Sequence, residues 1–131
     1  MKRRCVILAD SHQNILEGIR GLLETMFETV VMVADKKSLF EAADKCTPEL
    51  AVVDLSLPGS GEANIARQFK GRYPELKLII LSVHDEPTAV SEVMSAGASG
   101  FVLKRSIATD LFPAVRAVLK GRIYISPSLE V

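Results

Sequence analysis

The segment LAVVD, residues 50–54, is a short apolar run that stops at a single carboxylate, Asp54. The run is continuous rather than alternating, which is the pattern of a strand buried on both faces of a parallel sheet. Four more runs of this kind occur along the chain: CVILA at 5–9, VVMVA at 30–34, KLIIL at 77–81 and GFVLK at 100–104. The chain therefore offers five candidate strands of a covered parallel sheet.

Segments with apolar residues three and four positions apart separate these runs, as amphipathic helices require. Two stripes illustrate the pattern: Ile15, Ile19, Leu22, Leu23 and Met26 before the second run, and Leu111, Ala114, Val115, Val118 and Leu119 after the last. Alternating strands and helices predict an α/β fold, a flavodoxin-like (βα)5 three-layer sandwich. We expect a parallel five-stranded sheet in order 2-1-3-4-5.

Turn-forming residues fall between the predicted elements. Pro48 and Pro74 precede the third and fourth strands, and Gly97 and Gly100 bracket the entry to the fifth. We expect Pro113 in the first turn of the last helix, where its missing N–H costs little.

Length and composition indicate one globular domain: 131 residues, 48% hydrophobic and 24% charged. We divide the chain into a domain at 1–121 and the start of a linker or tail at 122–131. The 16 basic and 16 acidic residues balance, which argues against DNA binding by this chain alone. No apolar run approaches the roughly 20 residues of a membrane span. Cys5 and Cys46 form no CxxC motif and are typical of reduced thiols in a cytosolic protein.

Chemistry-bearing residues stand where the predicted strands end. In an open α/β sheet, ligands bind beyond the carboxyl ends of the strands, where the strand order reverses. Asp10, Asp54, Ser82 and Lys104 occupy these ends. Two carboxylates in a cleft favour a hard dication such as Mg²⁺, while an ammonium and a hydroxyl suit an anion. The combination predicts a site that accepts a phosphoryl group, with a carboxylate as nucleophile.

Each of these residues also has a structural interpretation. Asp54 could be a helix-capping or turn residue in DLSLPGSG, and Asp10 could cap the first helix. Ser82 could be an ordinary serine at a strand end, and Lys104 could be an ordinary solvated lysine. His12 and His84 lie on two pocket loops, which suggests a metal site. Without a third ligand at helical spacing, we interpret both as polar loop residues.

Other α/β classes fit less well. A haloacid-dehalogenase-like phosphatase needs a second Asp two residues after the nucleophile, and that position is Ser56. A nucleotide binder needs GxxxxGK[ST] or GxGxxG, and neither motif occurs. A flavodoxin-type FMN site needs a phosphate loop after the first strand, where DSHQN supplies an acid instead.

Four motifs resemble the receiver domains of bacterial two-component response regulators: ILADSH, VVDLSLPGSG, LIILSVHD and GFVLK. Asp54 follows Asp10 by 44 residues, and Ser82 and Lys104 follow Asp54 by 28 and 50 residues. The resemblance covers the whole chain. ADSHQNILEGIRGLL and AVRAVLKGRIYISPSL further resemble receivers of LuxR-type (NarL/FixJ-like) regulators, which carry a C-terminal helix-turn-helix domain.

The resemblance implies roles and partners. Asp54 would accept a phosphoryl group from a histidine kinase, and Lys104 would pair with it. Ser82 would be the switch hydroxyl and Phe101 the aromatic that turns inward with it. The face of the fourth helix, fifth strand and fifth helix, about residues 86–121, would change its partner preference and support a homodimer. DNA would be reached only through the C-terminal domain, in a cytoplasmic signalling protein that is not an enzyme.

The resemblance also implies a Mg²⁺ site built from Asp10, Asp54 and the backbone carbonyl of Ser56. The family's second acid after the first strand is Ser11 here, so we expect impaired rather than abolished Mg²⁺ binding.

Two more departures from the family pattern concern the neighbouring loops. Glu62, preceded by Gly61, stands where the family has glycine, and Arg105 replaces the proline after the lysine. The rival hypothesis is a degenerate receiver that works as a dimerisation or docking module without phosphorylation.

Overall fold

The computed structural model describes residues 3–59 and 64–127, without the side chains of residues 13–16. They form a parallel sheet with helices packed on it. The strands are β1 (Arg3–Ala9), β2 (Phe27–Val33), β3 (Leu50–Asp54), β4 (Lys77–Ser82), β5 (Gly100–Leu103) and β6 (Tyr124–Ile125). The helices are α1 (Gln13–Glu24), α2 (Lys36–Cys46), α3 (Ile65–Arg72), α4 (Pro87–Ser95) and α5 (Ile107–Leu119), with a 3₁₀ turn at Lys104–Ser106. The predictions for Ile15, Gly61 and Glu62 lie outside the described side chains and residues.

The sheet has the strand order β2-β1-β3-β4-β5-β6. This order confirms the predicted flavodoxin-like arrangement of the first five strands. The sixth strand was not predicted, because two residues are too few to carry a hydrophobic pattern. Tyr124 and Ile125 pair in parallel with Gly100 and Phe101, so β6 covers the outer edge of β5.

The second strand differs from its prediction in both position and burial. It begins at Phe27 rather than residue 30, and Phe27 is buried opposite Arg3 of β1. Its later residues are half-buried or exposed, because β2 is an edge strand with a neighbour on one side only. A continuous apolar run therefore did not mean burial on both faces here.

Two hydrophobic clusters fill the space on either side of the sheet. One packs Ile7 and Ile80 against α2, α3 and α4, with Phe69 fully buried in it. The other packs Val6 and Leu8 against α1 and α5. Adjacent residues of β1 thus enter different clusters, as alternation along a strand requires. Burial of each large side chain contributes about 1.5–3 kcal/mol, so these clusters are the main source of stability.

The entry to β5 depends on two glycines. Gly97 follows α4 with φ 108°, a left-handed conformation that favours glycine. A Cβ on Gly100 would lie 3.0 Å from Ile79 and 3.4 Å from Val118, so this position admits the close approach of α5 to the sheet. The prediction for Pro113 was wrong: α5 begins at Ile107, because it follows the 3₁₀ turn directly, and Pro113 lies in its second turn.

Both cysteines are free thiols, with Cys5 buried and Cys46 half-buried. Among the described residues, none of the helices is long and apolar enough to span a bilayer.

Candidate functional site

Three central strands end in the same local turn. The side-chain oxygen at the strand end accepts the backbone N–H two residues later: Asp10 from His12 at 2.9 Å, and Asp54 from Ser56 at 3.0 Å. The hydroxyl of Ser82 accepts the N–H of His84 in the same way at 2.9 Å. These turns fix each side chain at the carboxyl edge of the sheet. Asp10 therefore does not cap α1, whose N-cap position is His12.

Lys104 joins the two acids across the sheet. It follows β5 directly, and its Nζ lies 2.9 Å from Asp10 Oδ2 and 2.9 Å from Asp54 Oδ2. The bond to Asp54 is a hydrogen bond. Asp10 Oδ2 is close enough for an ion pair but lacks hydrogen-bond geometry. The exposed fractions of the three side chains are only 5% for Lys104, 0% for Asp10 and 2% for Asp54, so Lys104 is not a solvated surface lysine.

The two partners hold each other in their charged forms. Burial raises the pKa of the Asp54 carboxyl, but the hydrogen bonds from Lys104 and Ser56 and the Lys104 charge outweigh it and hold that pKa below its usual 3.8. Burial lowers the pKa of the Lys104 ammonium, but its close contacts with the Asp10 and Asp54 carboxylates and their negative charges outweigh burial and raise that pKa. Asp54 is therefore an ionised carboxylate at neutral pH.

His12 is part of this site, which the sequence analysis missed. Its Nδ1 lies 2.9 Å from Asp10 Oδ1, 3.5 Å from Asp54 Oδ2 and 3.2 Å from Lys104 Nζ. The signal was present in the spacing: a residue two positions after a strand-end Asp is folded back by the turn. His84 occupies the matching position after Ser82, but its ring lies 3.8 Å from Glu86 Oε2 at the surface.

The remaining predicted residues lie at the edge of the pocket or below it. Ser56 is exposed and donates its hydroxyl to Asp54 Oδ1 at 3.0 Å. Ser82 is buried, and its hydroxyl bonds to both the N–H and the carbonyl of His84. Phe101 is fully buried in the hydrophobic cluster shared by α2, α3 and α4. Ser11 is exposed.

The donor set fits a divalent cation. One ligand atom each from Asp10, His12 and Asp54 can be chosen so that all lie within 4.8 Å of one another. Two buried carboxylates supply the oxygen ligands that Mg²⁺ prefers. Ser11 brings no carboxylate, so the oxygen part of the set is smaller than three acids would make it.

A comparison of the chain with known protein families agrees with the sheet order, the strand-end acids and the buried lysine. The response regulator receiver domain matches residues 6–116. The chain belongs to this family. This match confirms the family resemblance that the four motifs predicted for this receiver.

Individual relatives place the receiver among the LuxR-type regulators. The transcriptional regulatory protein DegU of Brevibacillus brevis is 33% identical over 126 residues, covering 95% of this chain and 53% of DegU. The receiver thus spans about half the length of the curated relatives it matches. A LuxR-family response regulator from Aurantimonas sp. SI85-9A1 has a TM-score of 0.88 at 30% identity, covering 98% of this chain and 93% of that one.

A third relative is a receiver domain solved in isolation. It comes from RcsB of Salmonella enterica serovar Typhimurium, in the presence of the phosphomimetic BeF3⁻. Its TM-score to this receiver is 0.87 at 30% identity, and the match covers 98% of this chain and 96% of that one.

Proposed function

We propose that this receiver accepts a phosphoryl group on Asp54 from a histidine kinase and passes the signal to an output surface. The observation that carries the proposal is the position of Lys104, with its Nζ 2.9 Å from both Asp10 and Asp54 in a buried pocket. A compact cation beside an ionised, poorly solvated carboxylate can offset the charge of the incoming phosphoryl oxygens.

The transfer follows from the state of Asp54. A carboxylate oxygen of Asp54 forms a bond to phosphorus while the bond from phosphorus to the kinase imidazole nitrogen breaks. The nitrogen leaves with the bonding pair and takes up a proton from solvent. Because the pKa of Asp54 is lowered, no proton has to leave the carboxyl before the attack. Lys104 then pairs with the new phosphoryl oxygens.

A bound Mg²⁺ would supply further stabilisation of the phosphoryl charge during transfer. We assign its ligands to Asp10, Asp54 and the backbone carbonyl of Ser56. The neutral Ser11 removes one inner-sphere oxygen and one negative charge relative to a three-acid site. We therefore expect weaker Mg²⁺ binding, not its loss.

The switch residues connect the site to the output face. Ser82 would turn its hydroxyl from His84 toward the phosphoryl group, and Phe101 would reorient with it. The exposed pair Arg105–Asp85, at 3.2 Å, links the loops after β5 and β4 and would respond to the same movement. The face at about residues 86–121 would then favour a homodimer.

The output we propose is control of transcription through a C-terminal helix-turn-helix domain, the arrangement of LuxR-type regulators. The name of DegU as a transcriptional regulatory protein supports this direction. The chain would act in the cytoplasm as a signalling module rather than an enzyme. The division into a receiver at 1–121 and a connecting segment at 122–131 stays a prediction.

One observation favours the rival function, a degenerate receiver used for docking. Lys104 already pairs with both carboxylates, so the pocket is stabilised without a bound metal ion or a phosphoryl group. Together with Ser11, this arrangement suits a constitutively folded module.

Intact-mass measurement after incubation with Mg²⁺ and acetyl phosphate separates the two functions. We expect one phosphoryl adduct on the wild type and none on Asp54→Asn. The matched control is Asp44→Asn, which removes a half-exposed carboxylate on α2 and should keep the adduct. Absence of an adduct on the wild type at high Mg²⁺, even with a phosphorylated kinase, would establish the degenerate function instead.

A further inference from the structure

We propose that His12 is a metal ligand of this receiver. Its imidazole makes the acidic pocket select a dication that accepts nitrogen ligands, such as Co²⁺ or Zn²⁺, over Mg²⁺. The inference rests on the proposed function in one respect, that the pocket holds a dication, and it specifies which class of ion the pocket takes.

The geometry supplies a third ligand where the chain lacks a third acid. His12 Nδ1 lies 2.9 Å from Asp10 Oδ1 and 3.5 Å from Asp54 Oδ2, and the three residues form one group of possible ligands. The carboxylates are buried, whereas the exposed fraction of the His12 side chain is 57%, so the group opens to solvent on its histidine side. An ion can therefore enter without movement of the sheet.

The position of the imidazole is set by the backbone. The N–H of His12 donates to Asp10 Oδ1 at 2.9 Å, and this turn carries the ring back over the strand end. Ser11, between the two, is exposed and brings no charge. Position 11 therefore offers no carboxylate to the pocket, and the next residue offers a nitrogen donor.

The charge of the pocket separates hard from borderline ions. Asp10 and Asp54 contribute two negative charges and Lys104 one positive charge, which leaves a net charge of −1 with a neutral imidazole. Mg²⁺ binds oxygen ligands through charge and gains little from an imidazole. Co²⁺ and Zn²⁺ form strong bonds to imidazole nitrogen. For these ions, the bond to His12 offsets the loss of affinity that comes from having no third carboxylate.

Binding also requires a particular tautomer and competition with the lysine. A carboxylate oxygen only accepts a hydrogen bond, so the 2.9 Å contact between Nδ1 and Asp10 Oδ1 requires the ring proton on Nδ1. A metal that binds Nδ1 therefore takes the place of this proton, and the ring proton is then on Nε2. Lys104 Nζ lies 3.2 Å from the same Nδ1 and contacts both carboxylates. A bound ion therefore has to replace some of the contacts that Lys104 makes with these groups. A nitrogen ligand makes that exchange more favourable for Co²⁺ than for Mg²⁺.

The chain contains a matched control, because its two histidines occupy equivalent turns. His84 follows Ser82 as His12 follows Asp10, and its side chain is 58% exposed against 57% for His12. His84 contacts Glu86 and no carboxylate of the pocket within the described residues. His12→Gln and His84→Gln therefore remove an imidazole from equivalent turns. Only His12 lies beside the carboxylates of Asp10 and Asp54.

The test is calorimetric titration of metal-free protein with CoCl2 and, separately, MgCl2. We expect His12→Gln to weaken Co²⁺ binding by about tenfold or more and to leave Mg²⁺ binding within about twofold, as expected for loss of a nitrogen ligand. His84→Gln should match the wild type for both ions. Ser11→Asp should strengthen Mg²⁺ binding more than Co²⁺ binding. With ZnCl2, the ring nitrogen resonances of His12 should shift in an NMR spectrum while those of His84 stay in place.

Equal Co²⁺ affinities of the wild type and His12→Gln would overturn the inference, as would a wild type that binds Mg²⁺ more tightly than Co²⁺. Acetyl phosphate labelling of the same samples keeps the two proposals apart. An adduct on Asp54 with no role of His12 in metal binding leaves the proposed function standing and refutes the inference. Metal binding that depends on His12, with no adduct on Asp54, supports the inference and refutes the proposed function.

Discussion

Two aspartate–cation pairs in this receiver have similar distances and opposite surroundings. Asp54 Oδ2 lies 2.9 Å from Lys104 Nζ, and Asp44 Oδ2 lies 2.6 Å from Arg72 Nη2. The first pair is almost fully buried, whereas the exposed fractions in the second are 45% and 53%. In water the second pair is screened, so its shorter distance does not make it the stronger. Burial, not distance, makes the first pair sensitive to an added charge.

The exposed pair has additional contacts that give it a structural role. The Arg72 guanidinium lies 5.5 Å from the centroids of the Phe40 and Tyr73 rings, and the Tyr73 hydroxyl donates to Asp44. Burial, followed by the hydrogen bond to Asp44, raises the pKa of Tyr73 to about 12. These contacts join α2 to the end of α3 on the surface.

The largest effect should come from breaking the buried pair. Lys104→Met leaves Asp10 and Asp54 buried without a cation, and we expect a loss of about 3–5 kcal/mol in the free energy of unfolding. Urea denaturation measures this loss. Adding Asp54→Asn to Lys104→Met should recover part of it, because one buried charge disappears. Wild-type stability in Lys104→Met would contradict the buried-pair account.

A smaller loss in the free energy of unfolding should follow from removing buried hydrogen bonds in which no cation takes part. Ser126 is fully buried, donates to Asp110 Oδ2 at 2.8 Å and accepts the Leu103 N–H at 3.0 Å. Ser126→Ala leaves both partners short of a hydrogen bond, and we expect a loss of about 1–3 kcal/mol. The same exchange at the exposed Ser91 of α4 is the control and should be nearly neutral in urea denaturation. Equal effects at both positions would show that burial is not the deciding factor.

Acid should weaken the buried pair without any substitution. Because the pKa of Asp54 is lower in the folded chain, its stabilisation is present above the usual carboxyl pKa of 3.8 and is lost as the pH falls through the folded value. We therefore expect the free energy of unfolding of Asp54→Asn to fall less steeply than that of the wild type below about pH 4. Thermal unfolding across pH 3–6 measures the difference, and parallel curves would refute it.

The smallest effect should come from the exposed pair. Asp44→Asn should cost about 0.2–1 kcal/mol, because the exposed ion pair is screened by water and salt. The difference from the wild type should shrink further at high salt. A loss as large as that of Lys104→Met would mean that surface and buried pairs are equivalent here.

The sequence predicted much of this comparison, and its misses have physical causes. The five apolar runs identified the sheet, because parallel strands covered by helices have few polar positions. Asp10, Asp54 and Lys104 were brought together correctly, because the carboxyl ends of parallel strands share one edge. His12 was missed because its place depends on a turn rather than on a strand. β6 was missed because its two residues are too few to carry a hydrophobic pattern.

The short strand β6 also bears on how this receiver behaves in concentrated solution. The apolar segment GFVL of β5 would otherwise present a row of unpaired backbone groups, which is a template for pairing with another chain. Tyr124 and Ser126 instead donate their N–H groups to Ser99 and Phe101. Release of residues 122–127 would therefore expose the edge of β5, where another chain could add a strand. The segment after α5 thus protects the edge of β5 against pairing with another chain.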